Sequence, residues 1–424
     1  MKTVEAMDFS FKLPVRESYD IIVCGGGIAG CAAALEGARL GKRVMLLEKS
    51  TVLGGLATMG LINFFVPMCN GRGRAICRGM AEEFLRLSIR YGYDTLPEVW
   101  RDGEPGTPTN ARYITNYSPY IFAMQLTEIL CDAGVRILFD CTASYPIMDG
   151  GHCSGIVTDS KSGLEFYGAA QIIDTTGDCD IVKRAGIPTV DGRNFYTYFA
   201  REVTLDSCRR AVESGRADRA VVTISGGSTN LYGGGQPEGI PLYYGTDVNN
   251  VSDYLIRNQL EMLGKLKKDD RNSREVTTLP MMPQFRTTRR IDGDITVHEE
   301  DKYRHFDDSV CAICDFDRRD FLYEVPLRSL TKRGFDNIIT AGRSASADGY
   351  AWDVFRVIPP AILTGQASAV VASNAIDNGC AVSDCDIRAV QSKLESENVM
   401  IHFDDSLIPE NTERNEDGHA EGHF

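Results

Sequence analysis

Positive charge is scarce in this sequence. The 424 residues include 45 Lys and Arg against 59 Asp and Glu, so the formal net charge at pH 7 is −14. A surface with this balance repels the dense phosphates of nucleic acids, and we therefore expect no nucleic-acid partner. The acidity itself is explained most simply by its contribution to solubility.

Long hydrophobic runs are also missing. The sequence contains no stretch of about 18 apolar residues, and its N-terminus lacks the charged and then apolar segment that directs secretion. We therefore expect no membrane span. The thirteen cysteines cannot all pair with one another, because their number is odd. These features together favour a cytoplasmic protein in a reducing environment.

Closely spaced metal ligands are scarce as well. Cys311 and Cys314 form the only close cysteine pair, and the further ligands that a zinc or iron–sulfur site needs are missing nearby. A redox-active pair of this kind would normally lie beside a helix start. We interpret both residues as ordinary thiols and predict no metal site.

A glycine-rich turn near the N-terminus is the most informative feature that is present. A hydrophobic strand is predicted for residues 20–24 and an Ala-rich helix for residues 31–40. Between them lie Gly25, Gly27 and Gly30, in the pattern G-x-G-x-x-G. The first glycine permits a tight turn, the second lets the backbone approach a diphosphate, and the third lets helix and strand pack closely. The amides and the positive dipole end of that helix would face the diphosphate.

A second strand is predicted for residues 43–47, and it ends in the acidic residue Glu48. An acid at this position accepts hydrogen bonds from the two ribose hydroxyls of a dinucleotide, and it would repel a 2′-phosphate. A glycine triplet alone is weak evidence, but the order of strand, triplet, helix, strand and acid is specific. The sequence therefore predicts a dinucleotide site.

Three later stretches resemble FAD-binding members of the two-dinucleotide-binding-fold superfamily. In those flavoproteins a Gly-Gly loop follows the ribose acid, as residues 49–58 do here. A short hydrophobic strand ends in a Thr-Gly step, as in residues 171–178, and a final strand delivers a turn to the ribityl chain, as in residues 335–343. The helix that follows, residues 356–370, is similar to a narrower branch, the FAD-dependent oxidoreductases related to the flavin subunit of heterodisulfide reductase. The likeness spans about residues 13–378.

This resemblance implies that the cofactor is FAD. The residues expected at the FAD site are Gly25, Gly27, Ile28, Ala29, Gly30, Glu48, Lys49, Gly54, Gly55, Leu56, Ala57, Ala143, Thr176, Gly177, Asp178, Gly342, Arg343 and Ile358. By the resemblance, Ala143 contributes a backbone contact to the adenine. No motif places a His or Cys against the flavin ring, so the sequence leaves its mode of attachment open.

The expected fold class is α/β, a Rossmann-like FAD-binding domain with an inserted α+β substrate lobe. We assign residues 1–185 and 325–385 to the FAD-binding domain, residues 186–324 to the lobe, and residues 386–424 to a C-terminal helix and acidic tail. The chain length suits two lobes, and a single fold with a long insertion suits it equally.

Local patterns predict three helices and a hairpin. The helices cover residues 79–88, 120–132 and 248–268, and the hairpin covers residues 154–170. Glycines within residues 225–235 could indicate a second nucleotide loop. No hydrophobic strand leads into them and no small-residue helix follows, so we interpret this stretch as a flexible loop or lid.

A cluster of basic residues lies where the lobe returns to the nucleotide fold. Arg286, Arg289 and Arg290 are close together in an otherwise acidic chain. Guanidinium groups bind carboxylates or phosphates through two parallel hydrogen bonds, which would suit an anionic substrate. Alternatively, these residues pair with neighbouring acids or brace the two lobes, and the sequence leaves both interpretations open. Arg356 should reach the flavin ring or its diphosphate, where a positive charge stabilises the reduced ring.

Further candidates complete the substrate side. Tyr323 and Tyr350 supply aromatic groups near the expected flavin, and His298 is the histidine in this region that could move protons near neutral pH. A surface position is the alternative for His298. The catalytic candidates are Arg356, Arg290 and His298, and the substrate-binding candidates are Arg286, Arg289, Tyr323 and Tyr350.

Only one nucleotide fold is evident, so electrons should enter or leave through a small-molecule substrate or a partner protein. The leading hypothesis is an FAD-dependent oxidoreductase that transfers a hydride between a small organic molecule and the flavin N5. A flavin-carrying electron-transfer subunit of a larger complex is an alternative, although the cysteine-rich ferredoxin motifs typical of such relays are missing. A flavoprotein isomerase without net redox chemistry is another. The sequence names neither the substrate, the direction of the reaction, nor the oligomeric state.

Overall fold

The computed structural model describes residues 10–410, so the part of the expected C-terminal tail from residue 411 onwards lies outside them. The strands are β1 (Val15–Cys24), β2 (Val44–Leu47), β3 (Phe64–Phe65), β4 (Thr115–Asn116), β5 (Arg136–Leu138), β6 (Cys141–Asp149), β7 (His152–Ser160), β8 (Gly163–Asp174), β9 (Thr189–Asp191), β10 (Thr197–Thr204), β11 (Val221–Ser228), β12 (Arg274–Thr278), β13 (Arg289–Ile291), β14 (Ser309–Cys314), β15 (Leu322–Pro326) and β16 (Ile338–Thr340). The helices are α1 (Ile28–Arg39), α2 (Met80–Ser88), α3 (Pro119–Asp132), α4 (Asp180–Arg184), α5 (Leu205–Ser214), α6 (Val248–Leu266), α7 (Gly349–Phe355), α8 (Ile358–Asn378) and α9 (Ile387–Ser396).

The largest sheet has the strand order β5-β2-β1-β8-β7-β6, and β16 pairs with the end of β8. Strands β5, β2, β1, β8 and β16 run parallel, whereas β6, β7 and β8 form an antiparallel meander. Cys24 pairs with both Leu47 and Asp174, and Asp174 also pairs with Thr340. The carboxyl ends of four parallel strands therefore lie level at one edge, where open α/β sheets bind their ligands. The expected Rossmann-like α/β fold is confirmed.

Two buried helices, α1 and α8, cross over this sheet. A Cβ atom on Gly365 of α8 would lie only 2.2 Å from the carbonyl oxygen of Ala29, so the crossing requires a residue without a side chain. A Cβ atom on Gly342, in the turn after β16, would lie 3.2 Å from the Cβ of Ala29 and 3.7 Å from that of Ala361. The N-terminal ends of both helices therefore meet around this turn.

The lobe has a hydrophobic core of its own. Strands β11, β10 and β12 form a three-stranded sheet, and aromatic residues between Tyr196 and Phe285 make up a separate buried cluster with α6. By contrast, the buried residues from Val297 to Val325 belong to the main core that contains α1 and α8. Residues 186–324, expected as one lobe, thus contribute to more than one hydrophobic cluster, and Ile187 and Ile291 belong to a third.

The predicted helices agree with the observed ones to within two residues at each end, and the hairpin extends four residues beyond its predicted end, to Asp174. The three predicted helices are confirmed as α2, α3 and α6, and the predicted hairpin as β7–β8, which closes between Ser160 and Gly163. The glycine-rich stretch differs from the expectation at its start, because residues 225–228 belong to β11 and only the remainder is a loop. Hydrogen bonding across the sheet to β10 explains this difference.

Two further findings concern membranes and cysteines. Among residues 10–410, no single helix has both the length and the apolarity needed to cross a membrane; α7 and α8 meet these criteria only as a pair, across a bend of 76°.

All thirteen cysteines lie within residues 10–410 and are free thiols. Cys311 and Cys314 are buried in β14, in agreement with their interpretation as ordinary thiols.

Candidate functional site

The glycine turn between β1 and α1 combines tight packing with one open position. Gly25 has a φ of +110°, and a Cβ there would lie 2.5 Å from the carbonyl oxygen of Thr175. A Cβ on Gly30 would lie 1.9 Å from the carbonyl oxygen of Gly25. A Cβ on Gly27 would meet nothing within 4 Å among the described residues. The first and third glycines are thus required by the fold itself, whereas the second faces open space.

The N-terminus of α1 opens onto that space. No side chain of the described residues caps the helix, and its first turn contains no acidic residue. The first amides of a helix lack partners within the helix and carry the positive end of its dipole. Ile28 and Ala29 therefore present N–H groups to an anion, as the binding of a diphosphate requires.

Glu48 lies buried at the carboxyl end of β2, with 5% of its surface exposed. Its Oε2 accepts a hydrogen bond from the Gly26 amide at 2.7 Å, and its Oε1 accepts one from the Ser50 amide at 2.7 Å. A carboxylate has about four acceptor positions, so two remain for a pair of ribose hydroxyls. The neighbouring Lys49 is exposed.

The Gly-Gly loop closes against the glycine turn. Gly54 and Gly55 both have positive φ values, +98° and +56°, which favour glycine. Gly54 bridges to Gly27, and a Cβ on Gly55 would lie 3.1 Å from the Gly27 Cα. Leu56 and Ala57 follow in a short 3-10 turn. The loop therefore forms a second wall of the open space at Gly27.

A third wall comes from the residues that follow β8 and β16. The Arg343 guanidinium donates hydrogen bonds to the carbonyl oxygens of Gly177, at 2.6 Å, and Phe285, at 2.9 Å, and it pairs with Asp178 at 2.7 Å. Gly342 precedes this arginine and faces the starts of α1 and α8. The side chain of Arg343 thus ties three segments together at the carboxyl edge of the sheet.

The remaining expected cofactor residues are near this edge or on the meander. Thr176 donates a hydrogen bond from its hydroxyl to Asp174 at 2.7 Å, and burial raises the pKa of Asp174 to about 6. The carbonyl oxygen of Ala143 on β6 accepts a hydrogen bond from Arg184 at 3.3 Å. Ile358 is the first residue of α8, whose start has no side-chain cap and no acidic residue within the described chain.

These features together fit a dinucleotide cofactor. The backbone at Gly27 faces open space, and the start of α1 beside it has no side-chain cap. The Glu48 carboxylate lies at the carboxyl end of β2, next to β1. These are the groups that bind a diphosphate and the ribose of its adenosine in Rossmann-type folds.

The arginine cluster predicted from the sequence is separated by the structure. Arg289 pairs with Asp191 at 2.9 Å, which joins β13 to β9. Arg290 is buried, with 5% exposed, and donates hydrogen bonds to the Ile291 carbonyl and the Ser346 hydroxyl, both at 3.1 Å. Both side chains therefore bind the protein's own groups.

Arg286 has a different environment. Its guanidinium donates a hydrogen bond to the carbonyl oxygen of Asn230 at 3.0 Å, and no carboxylate of the described residues forms an ion pair with it. Burial, with the nearby Arg356 as the next cause, lowers the pKa of Arg286 to about 10. Arg356 itself pairs with Asp353 at 2.6 Å. Arg286 and Arg356 therefore both lie near the Asp353 carboxylate. Arg356 is two residues before the start of α8.

The structure adds an acid to this region that the sequence analysis missed. Asp315 is 1% exposed, and its Oδ1 accepts a hydrogen bond from the Tyr350 hydroxyl at 2.8 Å. Its Oδ2 has no partner among the described residues, and burial raises the pKa of Asp315 to about 6. Nothing in the local sequence distinguishes this aspartate from its neighbours, because its burial results from long-range packing.

Tyr350 is the centre of an aromatic group. It stacks on Tyr232 and on Phe316, both with 6.5 Å between ring centroids, and the Arg318 guanidinium lies 4.1 Å from its ring. Tyr232 belongs to the same loop as Asn230, the partner of Arg286. One loop of the lobe therefore contacts both the cationic pair and the aromatic group.

Two of the predicted residues lie apart from these contacts. His298 is exposed, and its backbone amide donates to the side chain of Asp301 at the start of a short 3-10 turn. Tyr323 is fully buried in β15, its ring 6.5 Å from that of Phe355, and its hydroxyl has no partner among the described residues.

A family model described as FAD dependent oxidoreductase matches residues 20–224 and 253–394, which is more than half of the chain. Among curated proteins, digeranylgeranylglycerophospholipid reductase 2 from Methanothermobacter thermautotrophicus is 28% identical over 185 residues, which cover 40% of this chain and 43% of that protein. A digeranylgeranylglycerophospholipid reductase from Methanoculleus marisnigri is 25% identical over 186 residues, 42% of this chain and 43% of that protein. The chain thus matches less than half the length of these relatives.

Solved structures resemble the chain over most of its length. A geranylgeranyl bacteriochlorophyll reductase-like protein from Thermoplasma acidophilum aligns with 91% of this chain and 84% of its own, at 15% sequence identity and a TM-score of 0.43.

Proposed function

Because the chain belongs to the family of FAD-dependent oxidoreductases, we propose that it transfers a hydride between a small anionic organic substrate and the flavin N5. In this proposal Arg286 and Arg356 hold the anionic group of the substrate. The observation that carries the proposal is that these two guanidinium groups lie near one carboxylate, that of Asp353, beside the start of α8.

FAD, when bound, supplies the hydride chemistry itself. The protein supplies the open backbone at Gly27, the ribose acceptor Glu48, and the positive dipole ends of α1 and α8. Two partly buried cations that share a single carboxylate, that of Asp353, are costly to maintain, and a substrate carboxylate or phosphate would relieve that cost. Arg286 would therefore bind an anion more strongly than an exposed arginine does.

Tyr350 and Asp315 are proposed to hold and move the proton that accompanies hydride transfer. The Tyr350 hydroxyl already donates to the Asp315 carboxylate, and a carboxyl group with a pKa of about 6 can hold or release a proton near neutral pH. The loop that contains Asn230 and Tyr232 contacts Arg286 and Tyr350. This loop would orient the substrate and keep water from it.

The experiment is an anaerobic half-reaction with the FAD-loaded protein. Small carboxylates and phosphates, with neutral analogues of the same shape, are mixed with oxidised or photoreduced protein while the visible flavin band is recorded. We expect an anionic compound to bleach or restore the band. Arg286→Gln and Arg356→Gln should slow that change roughly ten- to a hundredfold, as loss of a charged hydrogen bond implies, while the flavin content stays unchanged.

Arg289→Gln is the matched control, because that arginine forms an ion pair with Asp191 that joins β13 to β9. An equal loss of rate in the control would contradict the assignment of Arg286 and Arg356. Equal rates with the neutral analogues would contradict the anionic substrate. Reduction by a protein partner alone would instead favour an electron-transfer subunit, and turnover of a compound without any change in the flavin band would favour an isomerase.

A further inference from the structure

Two histidines and a buried glutamate converge on the side of the main core that faces the C-terminal segment. His305 precedes β14, Glu324 lies in β15, and His402 follows α9. The Nδ1 atoms of His305 and His402 lie 2.5 Å and 3.0 Å from the same Glu324 oxygen, Oε1. These three ligand atoms all lie within 4.8 Å of one another. Three distant parts of the chain thus bring two imidazoles and one carboxylate to a single point.

An outer carboxylate orients the His305 ring. The second ring nitrogen of His305, Nε2, lies 2.8 Å from Oδ1 of Asp405. A carboxylate only accepts, so a proton on Nε2 satisfies this contact and leaves the lone pair of Nδ1 directed at Glu324. A lone pair facing a carboxylate oxygen is unfavourable, so Nδ1 either carries a second proton, as in a protonated His305, or binds a cation that Glu324 binds as well. The carboxylate–histidine–metal arrangement, in which an outer carboxylate fixes the tautomer of a ligating histidine, matches these contacts.

Burial and a backbone hydrogen bond fix the position of the Glu324 side chain. Its side chain is fully buried, and Oε2 accepts a hydrogen bond from the Phe306 amide at 2.8 Å. The side chains of His305 and His402 are 41% and 39% exposed, so the outer side of the cluster is open to water. A buried carboxylate beneath two accessible imidazoles provides three ligands and leaves a position for solvent.

We propose that His305, His402 and Glu324 bind a divalent first-row transition ion, with Zn²⁺, which other sites of two histidines and one glutamate hold, as the ion to test. The proton-bearing Nε2 of His305 is oriented by Asp405. The site uses none of the residues of the nucleotide cleft. It joins β15 to the C-terminal segment, in which Ile401 and Phe403 are buried in the main core, and so fastens that segment to the protein.

The test is a titration of the full-length, FAD-loaded and metal-free protein with Zn²⁺, followed by calorimetry and by thermal unfolding. We expect one Zn²⁺ per chain and a higher melting temperature with Zn²⁺ than without it. His402→Ala should abolish both effects. Because His402 is partly exposed, this variant should keep its flavin content, which shows that it folds. Asp405→Asn should weaken Zn²⁺ binding roughly ten- to a hundredfold, as loss of an outer-shell partner does.

Two controls make the result specific. His298→Ala removes an exposed histidine elsewhere and should leave the binding unchanged. The double variant His419→Ala and His423→Ala removes the histidines beyond the described residues and should also leave it unchanged. The proposal is overturned if Zn²⁺ neither binds nor raises the melting temperature, in which case a protonated His305 holds the cluster together. It is equally overturned if binding survives in His402→Ala or disappears in the double variant.

Discussion

The backbone amide of Gly26 donates a hydrogen bond to the carboxylate of Glu48, with 2.7 Å between N and Oε2. This bond joins the glycine turn after β1 to the end of β2, so the residue expected to bind the ribose also holds the diphosphate loop in position. The position of the glycine turn therefore depends on Glu48. A substitution of Glu48 should act on both.

Glu48→Ala should weaken FAD binding by roughly ten- to a hundredfold, because it removes a charged hydrogen-bond partner worth about 1.5–3 kcal/mol. It should also lower the melting temperature of the FAD-free protein, since the Gly26 and Ser50 amides lose their acceptor. Glu48→Gln keeps an acceptor for one amide and should lose affinity with less loss of stability. Equilibrium dialysis of FAD with thermal unfolding measures both quantities. Unchanged FAD affinity in Glu48→Ala would contradict the ribose assignment.

Alanine should have different effects on the stability of the FAD-free protein at Gly27 and at Gly30. A Cβ on Gly27 meets no described atom within 4 Å, so Gly27→Ala should leave the FAD-free protein as stable as before while reducing its FAD content. A Cβ on Gly30 would lie 1.9 Å from the Gly25 carbonyl oxygen, so Gly30→Ala should destabilise the protein without FAD as well. Gly27→Val should be harsher for FAD than Gly27→Ala. Equal stability losses at both positions would be inconsistent with an open cradle at Gly27.

Arg290 should behave as a structural residue. Arg290→Gln shortens the side chain, so the Ile291 carbonyl and the Ser346 hydroxyl lose a buried donor, and we expect a loss of about 1–3 kcal/mol in the free energy of unfolding. Arg289→Gln breaks a pair whose aspartate is half exposed and should cost about 0–1 kcal/mol. Urea unfolding of both variants gives the comparison. A stable Arg290→Gln protein with impaired turnover would instead favour the catalytic role predicted from the sequence.

Asp315 should make the stability of the protein depend on pH. Its pKa in the folded protein, about 6, lies above the ordinary value of 3.8, so the folded state binds this proton more tightly than the unfolded state does. The resulting stabilisation is complete below the ordinary pKa and is lost as the pH rises through about 6. Relative to Asp315→Asn, the wild type should therefore lose about 2–3 kcal/mol between pH 4 and pH 7. Urea unfolding across this range measures the loss, with the exposed Glu98→Gln as control. A constant difference between wild type and Asp315→Asn would contradict the raised pKa.

The nucleotide half of the site could be predicted because its signals are local in the chain. Gly25, Gly27 and Gly30 lie within a single turn and helix start. Glycine is required at Gly25 and Gly30 by the backbone geometry of this strand-turn-helix, and at Gly27 by the space that a diphosphate needs. Glu48 ends the neighbouring strand, whose position beside β1 follows from the right-handed crossover. The α/β fold and the cofactor class followed from these few residues and the resemblance they carry.

The substrate half could not be predicted, because it depends on pairing between distant residues. In the sequence Arg286, Arg289 and Arg290 are equivalent cations. In the structure the Arg289 side chain pairs with Asp191, 98 positions away, while the Arg286 guanidinium donates to the carbonyl of Asn230, 56 positions away, and lies near Arg356 and Asp353.

The same reasoning applies to the acid and the histidines. The pKa of Asp315 is raised only because packing buries this residue beside Tyr350. His305, Glu324 and His402 come together only because the fold joins three distant segments. The sequence by itself determined which backbone conformations and which cofactor the chain accommodates, since these depend on short-range sterics and hydrogen bonding. The tertiary structure alone decided which charges are paired, buried or left open, because charge and burial are set by neighbours that the chain brings together from far apart.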